Sequence, residues 1–489
     1  MRAGHKNKSI RRDVNNRKSF RDQPTSGSSR PVSDFYRLIS EELSHQGVSS
    51  ILELTYDQEI RIKNSAIRRF FEQHQLPGAG ETIIPSPLPR HYRTTSKRRI
   101  EYRQNQVLAG LDNIELEALP NQEHLYLLEP ESHRLIYDFI LSFLQKSAFL
   151  TFAKHLNYLI IRSDGKRHSI IFNVDRFEGE IIHKAKLLAN HLRESDLSIL
   201  SVFMYLDPSR SDYFLESRRP HAAVDFKKLY GPDKLSIEVS DKRFDYEPTA
   251  FSQINLSILP EFIRVVKELL PVDEGGLLVD LYCGYGLFCL HLADKYRSAL
   301  GIDSSAAAVR AAKDNQRFLL PSSDISFYQA TIDKRALQRF LPAPGAAKEY
   351  ILLDPPRQGV AHGVIQALAE RKPAAVLHIF CGIEQIPKEA PIWLRSGYQL
   401  ERIVPLDLFP GTANIETCLL FKPKSELSGN PRRFASKPGS QKLNDQSHTA
   451  NGKRIYGGIR ANRQRTDGKL RTGKTMPAKR APGRKTLPQ

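Results

Sequence analysis

The chain has few cysteines and no long apolar run. Only four Cys occur in 489 residues, which excludes a disulfide framework and favours a reducing, cytoplasmic setting. They stand at Cys283, Cys289, Cys381 and Cys418 without CxxC spacing, so we expect no zinc ribbon, no iron–sulfur cluster and no other metal site. Because no run of about 18 apolar residues is present, no membrane span is expected. The first residues also lack the apolar core of a secretory signal.

Acidic residues are scarce at both ends of the chain. Residues 1–33 hold nine Lys and Arg against two Asp, net +7, and residues 424–489 hold 17 against three acids, net +14. Since the whole chain carries +19, residues 34–423 are left with −2. Both ends are rich in small polar residues and are predicted to be disordered basic tails. A near-neutral body between basic tails favours an enzyme that acts on a polyanion, with merely solubilising tails as the plainer alternative.

The body is predicted to be α/β and to have three parts. Apolar helical patterns predict a helical N-terminal segment over 34–84. A basic strand–turn–strand at 85–107, further short strands and two helices predict an α+β region over 85–244. Over 245–423 apolar strands alternate with helices. This predicts a parallel, Rossmann-like sheet that is covered on both faces and closed by an antiparallel hairpin.

Two strand ends in the last part carry residues typical of a ligand site. The stretch V-D-L-Y-C-G-Y-G at 279–286 contains Gly284 and Gly286, which let the backbone approach a ligand. Asp303 ends the next strand, where an acid suits the two hydroxyls of a ribose. A dinucleotide site prefers Gly or Ala where this chain has Cys289, so the pattern favours S-adenosylmethionine. A tight turn without a ligand is the other alternative.

Four more segments carry candidate functional residues. Asp-Pro-Pro-Arg-Gln-Gly (354–359) ends another apolar strand, and its prolines stiffen the chain where it leaves the sheet. Cys381 follows the next strand and is expected at the same carboxyl edge, although a lone Cys is more often a buried, unreactive thiol. Glu416 ends F-P-G-T-A-N-I-E (409–416), and F-S-Q-I-N (251–255) precedes the first helix of this part. Taken alone, these two would be an exposed acid and an ordinary helix start.

In their order along the chain, these motifs resemble those of the S-adenosylmethionine-dependent RNA uracil-C5 (5-methyluridine) methyltransferase family. The resemblance covers roughly 85–423 and is strongest from 245 onward. It implies that Cys381 is the nucleophile at carbon 6 of uracil and that Glu416 is the base at carbon 5. It also implies that S-adenosylmethionine is held by Gln253, Tyr282, Gly284, Asp303 and Asp354.

The resemblance also implies a substrate. The α+β region would face tRNA or rRNA, and the target uridine would be flipped out of its stack before reaction. We expect the protein to act on this RNA as a monomer.

The chain departs from the family pattern at two places. The family surrounds its cysteine as Ser-Cys-Asn-Pro, where this chain has Phe380-Cys381-Gly382-Ile383, and Asn414 replaces a His two residues before the Glu. Two alternatives therefore stay open. One is a catalytically diverged RNA-binding or ribosome-assembly factor on the same scaffold. The other is a methyltransferase acting on an amino nitrogen, which Arg357 disfavours because such enzymes carry an aromatic residue at its place.

Overall fold

Two sheets organise the part of the chain that the structure describes. A computed structural model describes residues 33–78, 80–103, 106–110, 126–210 and 226–424. Apart from Ser33 and Lys424, the two predicted tails lie outside these residues. Short 3₁₀ turns occur at Ile51–Glu53, Ser147–Phe149, Ala293–Lys295 and Ile383–Gln385.

The N-terminal segment forms two helices, α1 (Asp34–His45) and α2 (Tyr56–Gln73). Thr55 and Gln58 make reciprocal hydrogen bonds at the start of α2, which satisfies amide groups that a helix leaves unpaired there. The apolar faces of both helices pack into one hydrophobic cluster with Trp393 and one face of the larger sheet. The segment predicted to be helical is therefore part of the core of the C-terminal half.

The smaller sheet has six strands in the order β2-β1-β3-β4-β5-β6. They are β1 (Thr95–Arg103), β2 (Gln106–Gly110), β3 (Leu156–Ser163), β4 (His168–Val174), β5 (Ile199–Leu206) and β6 (Phe226–Tyr230). Three helices pack on one face: α3 (Glu131–Leu144), α4 (Leu150–His155) and α5 (Gly179–Glu194). The single parallel pair is β4 with β5, which α5 connects, and the remaining pairs are antiparallel.

The predicted strand–turn–strand begins about ten residues later than expected. Residues 81–94 are not regular secondary structure, because their backbone groups bond to the other half: the amides of Glu81 and Ile84 donate to the carbonyls of Ile403 and Pro405 at 2.9 Å each.

Among the described residues no single helix is long and apolar enough to cross a bilayer. The bent pair made by α3 and Ser147–His155 meets that test by length and composition only.

The larger sheet has seven strands in the order β11-β10-β9-β12-β13-β15-β14. The strands are β9 (Asp273–Leu281), β10 (Tyr296–Asp303), β11 (Ile325–Gln329), β12 (Glu349–Leu353), β13 (Ala375–Phe380), β14 (Tyr398–Leu406) and β15 (Glu416–Pro423). The helices are α6 (Leu259–Leu269), α7 (Leu287–Leu292), α8 (Ala306–Leu319), α9 (Lys334–Phe340), α10 (Val364–Glu370) and α11 (Ile386–Arg395).

The first five strands of that order are parallel, and β15 and β14 are antiparallel to their neighbours. This confirms the predicted α/β sheet and its antiparallel edge. Helices α9 and α11 were not predicted. In α11 the helical signal is weakened by Pro391 inside the helix, whereas Pro387 lies in the first turn, where proline is tolerated; Trp393 on the same helix is fully buried.

A two-stranded hairpin joins the two halves in sequence. Strands β7 (Leu235–Val239) and β8 (Lys242–Tyr246) pair with each other, and their inward side chains belong to the core of the larger sheet. Asn315 on α8 binds both backbone groups of Asp245, accepting from its amide at 2.9 Å and donating to its carbonyl at 3.0 Å. The boundary expected between 244 and 245 therefore falls inside β8, and the hairpin packs with the C-terminal half.

Candidate active site

The carboxyl ends of four neighbouring parallel strands meet at one edge of the larger sheet. In the order β10-β9-β12-β13, each strand is followed directly by a candidate site residue or ends in one. Asp303 ends β10, Tyr282 follows β9, Asp354 follows β12 and Cys381 follows β13. Because parallel strands bring their carboxyl ends to the same side, residues nearly 100 positions apart in sequence share one crevice.

The loop after β9 adopts left-handed backbone conformations. Tyr282, Gly284 and Gly286 have φ of 69°, 56° and 87°. A Cβ on Gly286 would lie 3.1 Å from Leu290 Cδ1, closer than ordinary van der Waals contact, whereas a Cβ on Gly284 would meet open space. Tyr282 adopts this conformation at a cost, which is typical of residues held in place at functional sites.

Three aspartates give this edge an acidic character. Asp280 is buried; its Oδ2 accepts the Cys289 amide at 3.0 Å, and its Oδ1 has no hydrogen-bond partner in the described part of the chain. The two carboxylate oxygens of Asp303 accept the amides of Gly284 and Ser305 at 3.0 and 2.7 Å.

Burial raises the pKa of all three carboxyls. The pKa of Asp280 lies well above its usual range because of burial and because of Asp354, and that of Asp303 is raised by burial against the opposing effect of its amide donors. Burial and the neighbouring Asp303 raise the pKa of Asp354 to about 7. An acidic crevice with free glycine backbone suits a ligand that carries positive charge and hydroxyl groups. It is a poor environment for the pyrophosphate of a dinucleotide.

Cys381 and Glu416 face each other across two antiparallel strands. In the register of β13 with β15, Phe380 lies opposite Thr417, so the next residues along each strand, Cys381 and Glu416, are also opposite. Glu416 is 2% exposed and Cys381 is half-buried. The Arg357 guanidinium lies near enough to both side chains to act on their pKa values.

Cys381 and Glu416 shift each other's pKa in opposite directions. Burial and the negative charge of Glu416 raise the pKa of the Cys381 thiol, and Arg357 acts in the opposite direction. Burial and Asp354 raise the pKa of Glu416 to about 8, opposed by Arg357 and the thiol. A carboxyl with a pKa near the working pH is suited to gain and lose a proton during a reaction.

The segment that carries Gln253 is anchored to the smaller sheet and to the chain that follows β14. The buried Arg162 on β3 donates to the carbonyl of Ala250 and to Oγ of Ser252, both at 2.6 Å. Asn255 Nδ2 donates to the carbonyl of Leu408 at 3.1 Å, so this segment lies against the chain that leads to Glu416. Gln253 is half-buried between these anchors, whereas the other four candidate cofactor residues lie at the sheet edge. Arg162 was missed from sequence, although a charged residue in the apolar strand was the available signal.

A second missed group supports the loop that carries Arg357. Glu389 on α11 accepts the Val360 amide at 2.7 Å, and a Cβ on Gly359, whose φ is 80°, would lie 2.0 Å from its Oε1. The buried His378 lies 3.3 Å from the same carboxylate and accepts the indole N–H of Trp393 at 3.4 Å. Nothing in the sequence marks this cluster, since its members come from one strand, one helix and one loop.

The two departures from the family pattern are accommodated locally. Phe380 stacks on His378 with ring centroids 4.0 Å apart. Gly382 has φ −131°, a conformation open to any residue. Asn414 binds within its own turn, where its side-chain amide donates to Thr412 Oγ1 at 3.3 Å.

Comparisons with known proteins agree on one family. The sequence model of a family described as tRNA (Uracil-5-)-methyltransferase matches residues 214–424. The 23S rRNA (uracil(1939)-C(5))-methyltransferase RlmD of Aliivibrio fischeri is 25% identical over 382 residues, covering 77% of this chain and 80% of that protein. An uncharacterized RNA methyltransferase of Geobacter sulfurreducens is 26% identical over 422 residues, covering 82% and 80%.

A solved structure shares the fold. The Pyrococcus abyssi tRNA (uracil-54, C5)-methyltransferase, solved with S-adenosyl-L-homocysteine, superposes with a TM-score of 0.56 at 18% identity. The match covers 76% of this chain and 85% of that one.

Proposed function

Because the chain belongs to the S-adenosylmethionine-dependent RNA uracil-C5 methyltransferase family, we propose that it methylates carbon 5 of a uridine in tRNA or rRNA. The observation that carries this proposal is the pairing of Cys381 with Glu416 across β13 and β15, beside an acidic cofactor crevice. A nucleophile and a base on neighbouring strand ends, next to a methyl donor, are what this reaction requires.

The acidic edge fits S-adenosylmethionine, which supplies an electrophilic methyl group on a sulfonium when bound. We assign Asp303 to its ribose hydroxyls, because the glycine loop beside this carboxylate leaves the backbone open to a ligand. Tyr282, Gly284 and Asp354 line the same edge. Gln253 would close the site from the segment that Arg162 anchors.

Cys381 begins the reaction. Its thiol must first lose a proton to solvent, and the neighbouring positive charge of Arg357 stabilises the thiolate that remains. The sulfur then forms a bond to carbon 6 of the uracil. The electron pair of the C5–C6 double bond moves toward the carbon-4 carbonyl, which makes carbon 5 nucleophilic enough to accept the methyl group.

Glu416 ends the reaction. After methyl transfer carbon 5 carries both the methyl group and its original proton. The Glu416 carboxylate removes that proton, the electron pair reforms the C5–C6 double bond, and the bond from carbon 6 to sulfur breaks to return the Cys381 thiolate. This step requires Glu416 to be ionised, and a pKa of about 8 gives it access to both proton states near neutral pH.

The test is nucleoside mass spectrometry after incubation of the protein with labelled S-adenosylmethionine and unmodified total RNA. We expect a 5-methyluridine peak that disappears in Cys381→Ala and is mostly lost in Cys381→Ser. Cys418→Ala is the matched control, since this fully buried thiol lies on β15 two residues beyond Glu416. Undiminished 5-methyluridine from Cys381→Ala would refute the mechanism.

The proposal extends to the setting of the enzyme. All four cysteines are free thiols, and a cysteine nucleophile needs a reducing compartment such as the cytoplasm. We further propose that the protein acts on RNA as a monomer. Light scattering of the purified protein on a sizing column tests this, and a stable dimer would contradict it.

A further inference from the structure

We propose that helix α2, which precedes the residues matched by the family model, positions the loop that leads to Glu416. This inference rests on the proposed function. The loop, here called the base loop, comprises residues 407–415 between β14 and β15, and Glu416 is the first residue of β15. Helix α2 is more than 330 residues away in sequence and does not contribute to the sheet edge that binds the cofactor.

A buried charge cluster joins α2 to the first residue of the base loop. Glu59 and Lys63, one helical turn apart, are both fully buried. Lys63 Nζ lies 2.8 Å from Glu59 Oε1 and 2.8 Å from Asp407 Oδ1. Arg90 Nη1 lies 3.1 Å from Glu59 Oε2, so two carboxylates are balanced by two cations.

Glu59 and Lys63 on α2, together with Tyr92, also hold the backbone of the base loop at three successive residues. Lys63 Nζ is 3.5 Å from the carbonyl of Phe409, the Tyr92 hydroxyl donates to the carbonyl of Pro410 at 3.1 Å, and the Gly411 amide donates to Glu59 Oε1 at 2.6 Å. Gly411 has φ 77°, and a Cβ there would lie 2.5 Å from Leu52 Cδ2. The loop is therefore seated tightly on the N-terminal segment.

Stability alone does not account for these charges. Removing several charged groups from water is costly, and well-packed apolar residues often replace a buried ion cluster without loss of stability. What apolar residues cannot provide is directed hydrogen bonds to the Gly411 amide and to the Asp407 carboxylate. The cluster therefore specifies where the base loop lies, and with it the position of Glu416 five residues beyond Gly411.

The inference predicts a selective kinetic defect. Cys381 is held by β13, so loosening the base loop leaves bond formation at carbon 6 less affected than proton removal at carbon 5. A base misplaced by about 1 Å can slow its step roughly 10²-fold. The enzyme should then accumulate as a covalent complex with methylated RNA, because the C6–S bond cannot break until the carbon-5 proton has left.

The experiment compares Glu59→Met with Glu59→Gln. Both remove the charge, but only Gln keeps an oxygen that can accept the Gly411 amide. We expect Glu59→Met to lower kcat roughly 10²-fold and to accumulate an SDS-stable protein–RNA complex, with the Kd for S-adenosylmethionine unchanged, and Glu59→Gln to recover most of the turnover. Glu41→Met on α1 is the control, since its ion pairs with Arg37 and Arg69 lie at the surface.

Tyr92→Phe keeps the test valid if Glu59→Met does not fold, because it removes only the hydroxyl that holds Pro410. The inference is supported if Tyr92→Phe shows a small rise in the amount of covalent complex and unfolds at the same temperature as the wild type. Wild-type turnover in both Glu59→Met and Tyr92→Phe, or lost turnover without any covalent complex, overturns it. If the wild-type protein itself forms neither covalent complex nor 5-methyluridine, the proposed function fails and this inference fails with it.

Discussion

Replacing Glu416 with Gln removes one proton-accepting group and leaves the shape of the site nearly unchanged. Glu416 is 2% exposed and lies on the first position of β15, opposite Cys381. Gln has the same number of heavy atoms, so the strand register and the contact with Arg357 should persist. The variant therefore isolates proton transfer from positioning.

Two effects on activity are expected from this substitution. General base catalysis by a positioned side chain contributes about 10²–10⁴-fold, so 5-methyluridine formation should fall by that factor. Addition of Cys381 and methyl transfer do not require the base at carbon 5. The variant should therefore accumulate as an SDS-stable protein–RNA complex that needs S-adenosylmethionine for its formation.

Stability should change with pH in a defined direction. The pKa of Glu416 is raised from an ordinary value of 4.5 to about 8, so the folded protein holds this proton more tightly than the unfolded chain. That contribution to stability is fully present below about pH 4.5 and is lost as pH rises through 8. Because Gln never ionises, the free energy of unfolding of Glu416→Gln should match that of the wild type at pH 5. At pH 9 it should exceed the wild type by an amount on the order of a few kcal/mol.

Nucleoside mass spectrometry, denaturing gels and thermal unfolding at pH 5 and pH 9 provide the three readouts. Glu401→Gln is the control, since Glu401 lies on the neighbouring strand β14 in a surface ion pair with Lys422 at 2.9 Å. Wild-type turnover in Glu416→Gln would refute the assignment of the base. A variant that is no more stable than the wild type at pH 9 would refute the electrostatic reasoning.

Three further predictions test the cofactor site, the tails and the core. Asp303→Asn should weaken S-adenosylmethionine binding about 10- to 100-fold by calorimetry, because a charged acceptor for two hydroxyls is lost, and an unchanged Kd would remove Asp303 from the cofactor site. Removing residues 1–33 and 424–489 should flatten the dependence of log Kd for RNA on log salt while turnover on a short saturating RNA persists; an unchanged slope would show that their +21 does not contact RNA. Trp393→Ala should lower the free energy of unfolding by about 3–5 kcal/mol in urea titrations, since the indole is fully buried, and a loss under 1 kcal/mol would contradict that role.

Much of the C-terminal half was predictable because its signals are local. The apolar strands and the loops that follow them are adjacent in sequence. Right-handed crossover connections make the strands parallel, which brings their carboxyl ends to one edge. Asp303, Asp354 and Cys381 were placed at that edge from strand order alone, and the structure puts them there. Their roles in cofactor binding and catalysis remain proposals that the experiments above test.

The contacts that define the site could not be predicted in the same way. That Glu416 lies opposite Cys381 depends on β15 inserting between β13 and β14, and a shift of register by one residue would point its side chain to the other face. Local patterns contain no information about such pairings. Arg162 and Glu389 escaped notice for a related reason, since each acts on a backbone segment far away in sequence.

Most elements, their order and the chemical groups at the strand ends follow from local sequence, because propensity and apolar periodicity act over a few residues. The packing of α2 in the C-terminal half, and the contact of Lys63 with Asp407 across 344 positions, depend on the folded arrangement of the whole chain. A lysine that is buried away from water is tolerated only when the fold supplies carboxylate partners that offset the cost of desolvating its charge. The partners of Lys63 come together only in the folded core, so no single segment of the sequence predicts this contact.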